Sequence, residues 1–404
     1  LSFSCEADVT KTQSEHPMSY PLTGLKVLDL SRVLAGPFAG RMLSDLGADV
    51  VKLEPPEGDV TRHWGVKRSG ISGYYHQQNA GKRNISVDLR QPEGVMVAKS
   101  LVAEADVVIE NFRPDVMQRL GLDYDTLAEI NPRLIMLSIS GFGADNADSY
   151  RAAYAPIIHA ETGLIARQAE LTKAFPTELP LSVADTNAAM HGLVGLLAAL
   201  YARQQTGRGD HVDISMVDAS VVTNDGMHYA LEGMKVGVTN EVHETAGGLL
   251  MLAGEFRFLW KMLNTTFNVS DGLEAAADVS LEQKINARRA AAKHFFNKTC
   301  RNREEVIAAL DQMNIAWGDV RPTSDVQKLP SVAARNTIAQ VDDRAGGKRS
   351  IPSSPYKYKH LKSQVRAGAP HLGEHNEEVL KQWLGWSTAQ ISNVQSALLT
   401  ATQE

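Results

Sequence analysis

The feature that most constrains this chain is an alternation of short β-type runs and helical patterns between residues 26 and 140. Lys26-Val27-Leu28-Asp29-Leu30 reads as a strand. Ala35-Gly36-Pro37 then opens an apolar helical pattern through Leu46, with Pro37 suited to a first turn. Gly47 stops that helix, and Asp49-Val50-Val51-Lys52-Leu53 is the next strand. The order then repeats. Arg83–Leu89 reads as strand, Pro92–Glu104 as helix and Val107–Glu110 as strand. Val116–Leu120 and Leu127 belong to short helices, and Leu134–Ser138 is a further strand. Strands separated by helices pair in parallel, with right-handed crossovers and helices on both faces. The expected fold class is α/β, with a mostly parallel, Rossmann-like sheet in a large domain and a smaller α/β domain beside it.

Further along, Thr186–Gln205 is the strongest helix, with Thr186 as its cap and Thr206-Gly207 as its stop. His211–Ser215 alternates as a strand. From Gly233 the character changes, and Gly237, Asn240 and Gly247-Gly248 mark a linker or the entrance to a second domain. Leu281–Phe296 and Arg303–Met313 are amphipathic helices. Gly346-Gly347-Lys348 and Pro352–Pro355 form a loop-rich return, and residues 376–384 and 387–399 are helical. The expected division is a polar arm at 1–20, a large domain at 21–232, a small domain at 233–335 and a return to the large domain at 336–404. A length of 404 residues suits two or three domains.

Composition excludes several classes. The chain has 41 Lys plus Arg against 47 Asp plus Glu, a formal net charge of −6, which argues against a general nucleic-acid binder. Cys5 and Cys300 are the only cysteines, so no disulfide framework or cysteine zinc cluster is available. No run of 18 apolar residues appears, and residues 1–20 lack a secretory pattern. The expectation is a cytoplasmic protein that binds neither membrane nor nucleic acid.

Several chemical motifs fail on inspection. The turn Ser31-Arg32-Val33-Leu34-Ala35-Gly36 is not a dinucleotide fingerprint, and His76 stands where a P-loop before Gly81-Lys82 needs Gly. His371-Leu372-Gly373-Glu374-His375 has the letters of an H-x-x-E-H zinc motif. Pro370 and Gly373 argue against the helix it requires, so no metal is expected. What remains is a set of cations at predicted strand ends: Arg32, Lys52, Arg90, Arg113 and Arg119. Ligands of open α/β sheets bind at the carboxyl ends of strands, and Arg suits phosphate, so a phosphorylated ligand is one reading. A solvated surface of ordinary ion pairs is the other.

The same segments resemble a known family. Asp29–Pro37, Gly47–Glu54, Asn79–Ile85 and Ala105–Pro114 are similar, in order, to motifs of the family III coenzyme A transferases. So are Asn131–Ile135, Ser138–Gly143, Gly207–Asp218 and Leu372–His375, which identifies the H-x-x-E-H string as a family loop. The resemblance runs from about residue 21 to 382 and is sparse between 233 and 350. It implies a large domain built from both chain ends, a smaller domain between them, and two ring-like subunits interlocked as a dimer. It implies coenzyme A, bound as acyl-CoA, at Val33, Leu34, Ala35, Val87, Asp88, Leu89, Arg90, Asn111, Phe112, Arg113 and Arg119. A basic side chain that some members place at Ser140 is missing.

The resemblance also implies transfer of coenzyme A from an acyl-CoA to an acceptor carboxylic acid through a nucleophilic carboxylate. Counted back from Asp185, the family's nucleophilic Asp falls on Lys173, where no acid stands. Glu170 is the nearest acid and Glu178 the next, so the candidate catalytic residues are Glu170 and Asp185. A related branch racemises acyl thioesters with an Asp–His pair. There Asp185 matches the Asp, the His aligns near Tyr154 or Ala155, and His159 is the nearest histidine. Three readings stay open: a coenzyme A transferase, an acyl-CoA racemase, isomerase or dehydratase, and a non-catalytic subunit of a heteromer with a paralogue.

Overall fold

The computed structural model describes residues 19–234, 240–273 and 278–398. Most of the expected arm, Cys5, Gly237 and Leu399 lie outside the described residues. Two compact units emerge. The first holds the described residues up to Ala166, then Pro176–Asn224, then those from Ala334 onward. The second holds Arg167–Phe175 and the described residues between Asp225 and Ala333.

The first unit begins with β1 (Lys26–Asp29), α1 (Ala35–Asp45) and β2 (Asp49–Glu54). A small antiparallel pair, β3 (Lys67–Arg68) and β4 (Ile71–Ser72), leads to α2 (Gly73–Asn79). Next come β5 (Arg83–Ser86), α3 (Pro92–Glu104), β6 (Val107–Glu110), α4 (Pro114–Arg119), α5 (Tyr124–Ile130) and β7 (Ile135–Ser140). Then follow α6 (Ala155–Glu161), α7 (Leu164–Thr172), α8 (Val183–Thr206), β8 (Asp210–Ser215) and α9 (Met216–Val222). α7 begins in the first unit and ends in the second.

Strands β5-β2-β1-β6-β7-β8 form one parallel sheet in that order. Its inner strands β1, β2, β6 and β7 are almost entirely buried because both faces are covered. Leu28, Val51, Ile85 and Val108 pack with Val97 and Leu101 of α3 on one face. Val27, Val50, Val107 and Leu137 pack with Leu43 of α1 and Leu193 of α8 on the other. α8 is the one helix among the described residues long and apolar enough to cross a membrane by length and composition. Here its buried residues join the sheet's second core.

The second unit carries α10 (Met227–Leu231), β9 (Glu241–Thr245), β10 (Gly248–Leu252), α11 (Phe256–Phe267), α12 (Leu281–His294), α13 (Arg303–Gln312), β11 (Trp317–Asp319) and α14 (Pro330–Ala334). β11, β10 and β9 form an antiparallel sheet, and Leu250, Leu263, Phe296 and Leu310 anchor its core. The return carries β12 (Ile338–Asp342), β13 (Lys348–Pro352), α15 (Asn376–Leu384) and α16 (Thr388–Asn393).

Two local expectations need correction. Thr186 is not the cap of α8: the helix starts at Val183 after Ser182, and the Thr186 hydroxyl donates to the Ser182 and Val183 carbonyls. The loop-rich return holds an antiparallel hairpin, β12–β13, whose Val341 and Ile351 pack with Ala80 and Val365.

Candidate active site

The strand order puts a reversal between β1 and β6, because the chain builds outward through β2 and β5 before returning to β6. A crevice opens at the carboxyl ends of strands flanking such a reversal. Here it is bounded by Ser31-Arg32-Val33-Leu34 after β1 and by Asn111-Phe112-Arg113 after β6. The two segments are tied together. Asn111 Oδ1 accepts the Arg32 N–H at 2.7 Å, and Asn111 Nδ2 donates to the Arg32 carbonyl at 2.8 Å. Gly36 allows α1 to start this close to the strand end, since a Cβ there would lie 2.2 Å from Ser31 Cβ.

Val33 has φ 67°, a left-handed conformation that is rare for a β-branched residue. Its N–H donates to Asp59 Oδ2 at 3.0 Å. Asp59 is buried and precedes a 3-10 turn at Val60–His63, accepting the Thr61 N–H at 2.9 Å and the Thr61 hydroxyl at 2.8 Å.

Two cavities open on the crevice, and Arg32, Phe112 and Val116 line both. The first, about 360 Å³, is also lined by Val33, Ala35, Asn111, Arg113, Arg119, Arg151, Tyr154 and Asp185. The second, about 580 Å³, is more apolar, and Val87, Asp88, Leu89 and Arg90 lie along it with Leu53, Pro55 and Leu120. Leu34 is buried at the start of α1 and lines neither.

Asp185 is half-buried in the first turn of α8. Burial pushes its carboxyl up to about 6, against the backbone N–H groups of Ala155 and Ala35, which favour the anion. Those residues are the first of α6 and α1. Tyr74 of α2 feels the charges of Asp185 and Asp59; burial, then those charges, push its phenol up to about 12.

The other candidate acid, Glu170, is exposed on α7, in the segment assigned to the second unit. Glu178 is exposed too, and Lys173 adopts φ 53° just after α7. His159 is buried, and its Nε2 accepts the Ala184 N–H at 3.1 Å, beside Asp185. Tyr154, where the racemase branch would place His, lines the first cavity.

The cations sort by partner. Arg90 pairs with Asp88 at 2.7 Å and Glu57 at 2.8 Å, and Arg119 pairs with Asp115 at 2.9 Å. Arg32 and Arg113 have no carboxylate partner among the described residues. The first cavity therefore offers two available guanidinium groups and one carboxylate, which suits a phosphorylated thioester and its acyl group.

His371–His375 forms a turn, as its Pro and Gly predict. Glu374 accepts the His371 N–H and pairs with Arg344, while His375 Nδ1 accepts the Asn84 N–H at 3.1 Å. Among the described residues no group of three or more His, Cys, Asp or Glu could hold a metal ion. Gly247-Gly248 sits at the β9–β10 turn, where Thr245 Oγ1 accepts the Gly247 N–H at 3.0 Å.

Sequence reasoning missed Asp59, Tyr74 and Arg151. For Asp59 a signal existed: Asp59-Val60-Thr61 has the form of an Asp cap starting a helical turn. Nothing in the local sequence marks the other two.

The chain is similar to several known proteins over most of its length. A succinate–glutarate CoA-transferase of Agrobacterium fabrum is 33% identical over 387 residues, covering 90% of this chain and 95% of that protein. The beta subunit of a succinyl-CoA–L-malate CoA-transferase of Chloroflexus aurantiacus is 30% identical, covering 93% and 97%. The crystal structure of a CaiB/BaiF family protein from Brucella suis superposes with a TM-score of 0.76 at 30% identity, covering 90% of this chain and all of that one. The family described as CoA-transferase family III matches residues 22–376, and this chain belongs to it.

Proposed function

We propose that this enzyme moves coenzyme A between dicarboxylic acids and that Asp185 is its nucleophile. Transfer between carboxylic acids is the family's reaction. The dicarboxylate class is inferred from the relatives, whose names carry succinate, glutarate and malate. The observation that carries Asp185 is its place: a half-buried carboxylate lining the crevice cavity with Ala35, Arg32 and Arg113.

The chemistry balances on one carboxylate. The Asp185 anion attacks the thioester carbonyl, forming a mixed anhydride and releasing the coenzyme A thiolate. The thiolate then attacks the Asp185 acyl carbon, freeing the first acid and leaving an aspartyl thioester. An acceptor carboxylate attacks that thioester, and the returning thiolate cleaves the second anhydride to give the new acyl-CoA and Asp185. A carboxylate suits these steps because its acyl derivatives remain activated. The N–H groups of Ala35 and Ala155 favour the anion before attack.

We further propose that the coenzyme lies along both cavities, with its phosphates near Arg32 and Arg113. In this reading the first unit is the large domain and the second is the smaller one. The enzyme works as a homodimer or with a paralogous subunit; the relative named as a beta subunit keeps the heteromer in view. Racemisation is disfavoured, because Tyr154 rather than His lines the cavity and His159 is engaged by Ala184. The test is exchange of labelled glutarate into acyl-CoA from succinyl-CoA. Asp185→Asn should lower it by about three orders of magnitude or more, whereas Glu170→Gln should leave it within about twofold. The opposite pattern would assign Glu170.

A further inference from the structure

Building on Asp185 as the nucleophile, we propose that Asp59 is a positioning residue: it holds Val33 in its left-handed conformation and thereby sets the start of α1, Ala35 included, against Asp185 in the first cavity. Such a backbone conformation persists only where its surroundings over-determine it, and here they do. Asn111 binds both the N–H and the carbonyl of Arg32. Lys52 Nζ, fully buried, donates to the Ser31 carbonyl at 2.5 Å and lies 3.7 Å from Asp59 Oδ2. Asp59 Oδ2 then takes the Val33 N–H at 3.0 Å.

Asp59 is itself fixed. It is 4% exposed, its Oδ1 accepts from Thr61 twice, and its own N–H donates to Glu54 Oε2 at 2.7 Å. Two residues past Val33, Ala35 opens α1, lines the first cavity with Asp185, and its backbone N–H favours the Asp185 anion. Without Asp59, Val33 can relax toward an extended conformation, which rotates the entry into α1. Asp185 then loses a nearby N–H that favours its anion, the form that attacks.

Asp59 and Asp185 are both negative, so the two possible effects of losing Asp59 have opposite signs. Removing a negative charge alone would lower the pKa of Asp185, whereas losing the Ala35 N–H would raise it. The other titratable or charged groups around this carboxylate are Tyr74 of α2, His159 of α6, Arg32 of the β1–α1 turn, Arg113 just ahead of α4, Arg119 of α4 and Arg151 ahead of α6. An Asp59 variant keeps all of them.

The experiment compares the full chain with Asp59→Ala, Asp59→Asn and Thr61→Val, using succinyl-CoA and glutarate. Asp59→Ala should lower kcat about tenfold, change KM for succinyl-CoA less than about threefold, and move the acid limb of the kcat profile up by about half a pH unit. Asp59→Asn keeps one acceptor oxygen and should fall between. Thr61→Val loosens the 3-10 turn on the far side of Asp59; it should lower Tm and leave the limb unmoved. A limb that stays or moves down in Asp59→Ala, or one that Thr61→Val moves equally, would overturn the proposal. If Asp59→Ala does not fold, Asp59→Asn is judged by the same signs. Asp185→Asn separates the two ideas: activity retained there sinks the nucleophile, whereas its loss with an unmoved Asp59→Ala limb sinks only the role of Asp59.

Discussion

As the proposed nucleophile Asp185 has to be an anion, yet burial favours its acid form. Its pKa of about 6 therefore sets an activity limit: kcat/KM should fall tenfold per pH unit below about pH 6. An initial-rate pH profile checks this, and a limb near 4 would contradict it. Stability follows the same shift with the opposite benefit. The unfolded value is near 3.8, so between there and about 6 the folded chain binds more protons. Stability then falls as pH rises through that window, and the penalty is complete above it. Asp185→Asn should accordingly stabilise the fold at pH 7 by about 1–2 kcal/mol while losing transfer, as sites that bury a charge for function do. Thermal melts at pH 5 and 7 would show it, and a destabilised variant would argue against it. The sequence made Asp185 visible but not its role, because spacing put the expected acid on Lys173. No local pattern reports that a carboxylate meets two helix starts.

At the scale of elements, α8 presents Asp185, and its first turn needs an acceptor for the Ala184 N–H. Buried His159 supplies it through Nε2, and burial lowers the pKa of that ring, so it serves as a neutral acceptor. His159→Ala should cost about 1–2 kcal/mol, read by urea unfolding, because a buried donor is left without a partner. An unchanged midpoint would show that the contact carries no stability. This explains why Thr186 looked like the cap: the sequence offered a local Ser or Thr, while the partner came from α6. The parallel strands were legible because continuous apolar runs alternated with helical periods. The β12–β13 hairpin was not, since only Val341 and Ile351 of its ten residues are buried and its turn is rich in Gly and charge.

Across the whole molecule, a net charge of −6 coexists with a crevice lined by Arg32, Arg113, Arg119 and Arg151. Arg90 and Arg119 are among the cations the sequence offers to phosphate, but each already holds a carboxylate. Sequence cannot show which cations are occupied, because the pairing depends on side chains brought together by the fold. Arg113→Ala should raise KM for acyl-CoA about five- to tenfold and weaken its dependence on salt. Titration of KM against ionic strength would check this, and an unaltered salt slope would place the phosphates elsewhere. The central claim is that the transferred acyl chemistry passes through Asp185. Its most direct measurement is peptide mass spectrometry after the full chain meets succinyl-CoA with hydroxylamine. The expected result is a hydroxamate on Asp185. A hydroxamate on Glu170, or none while transfer proceeds, would contradict it.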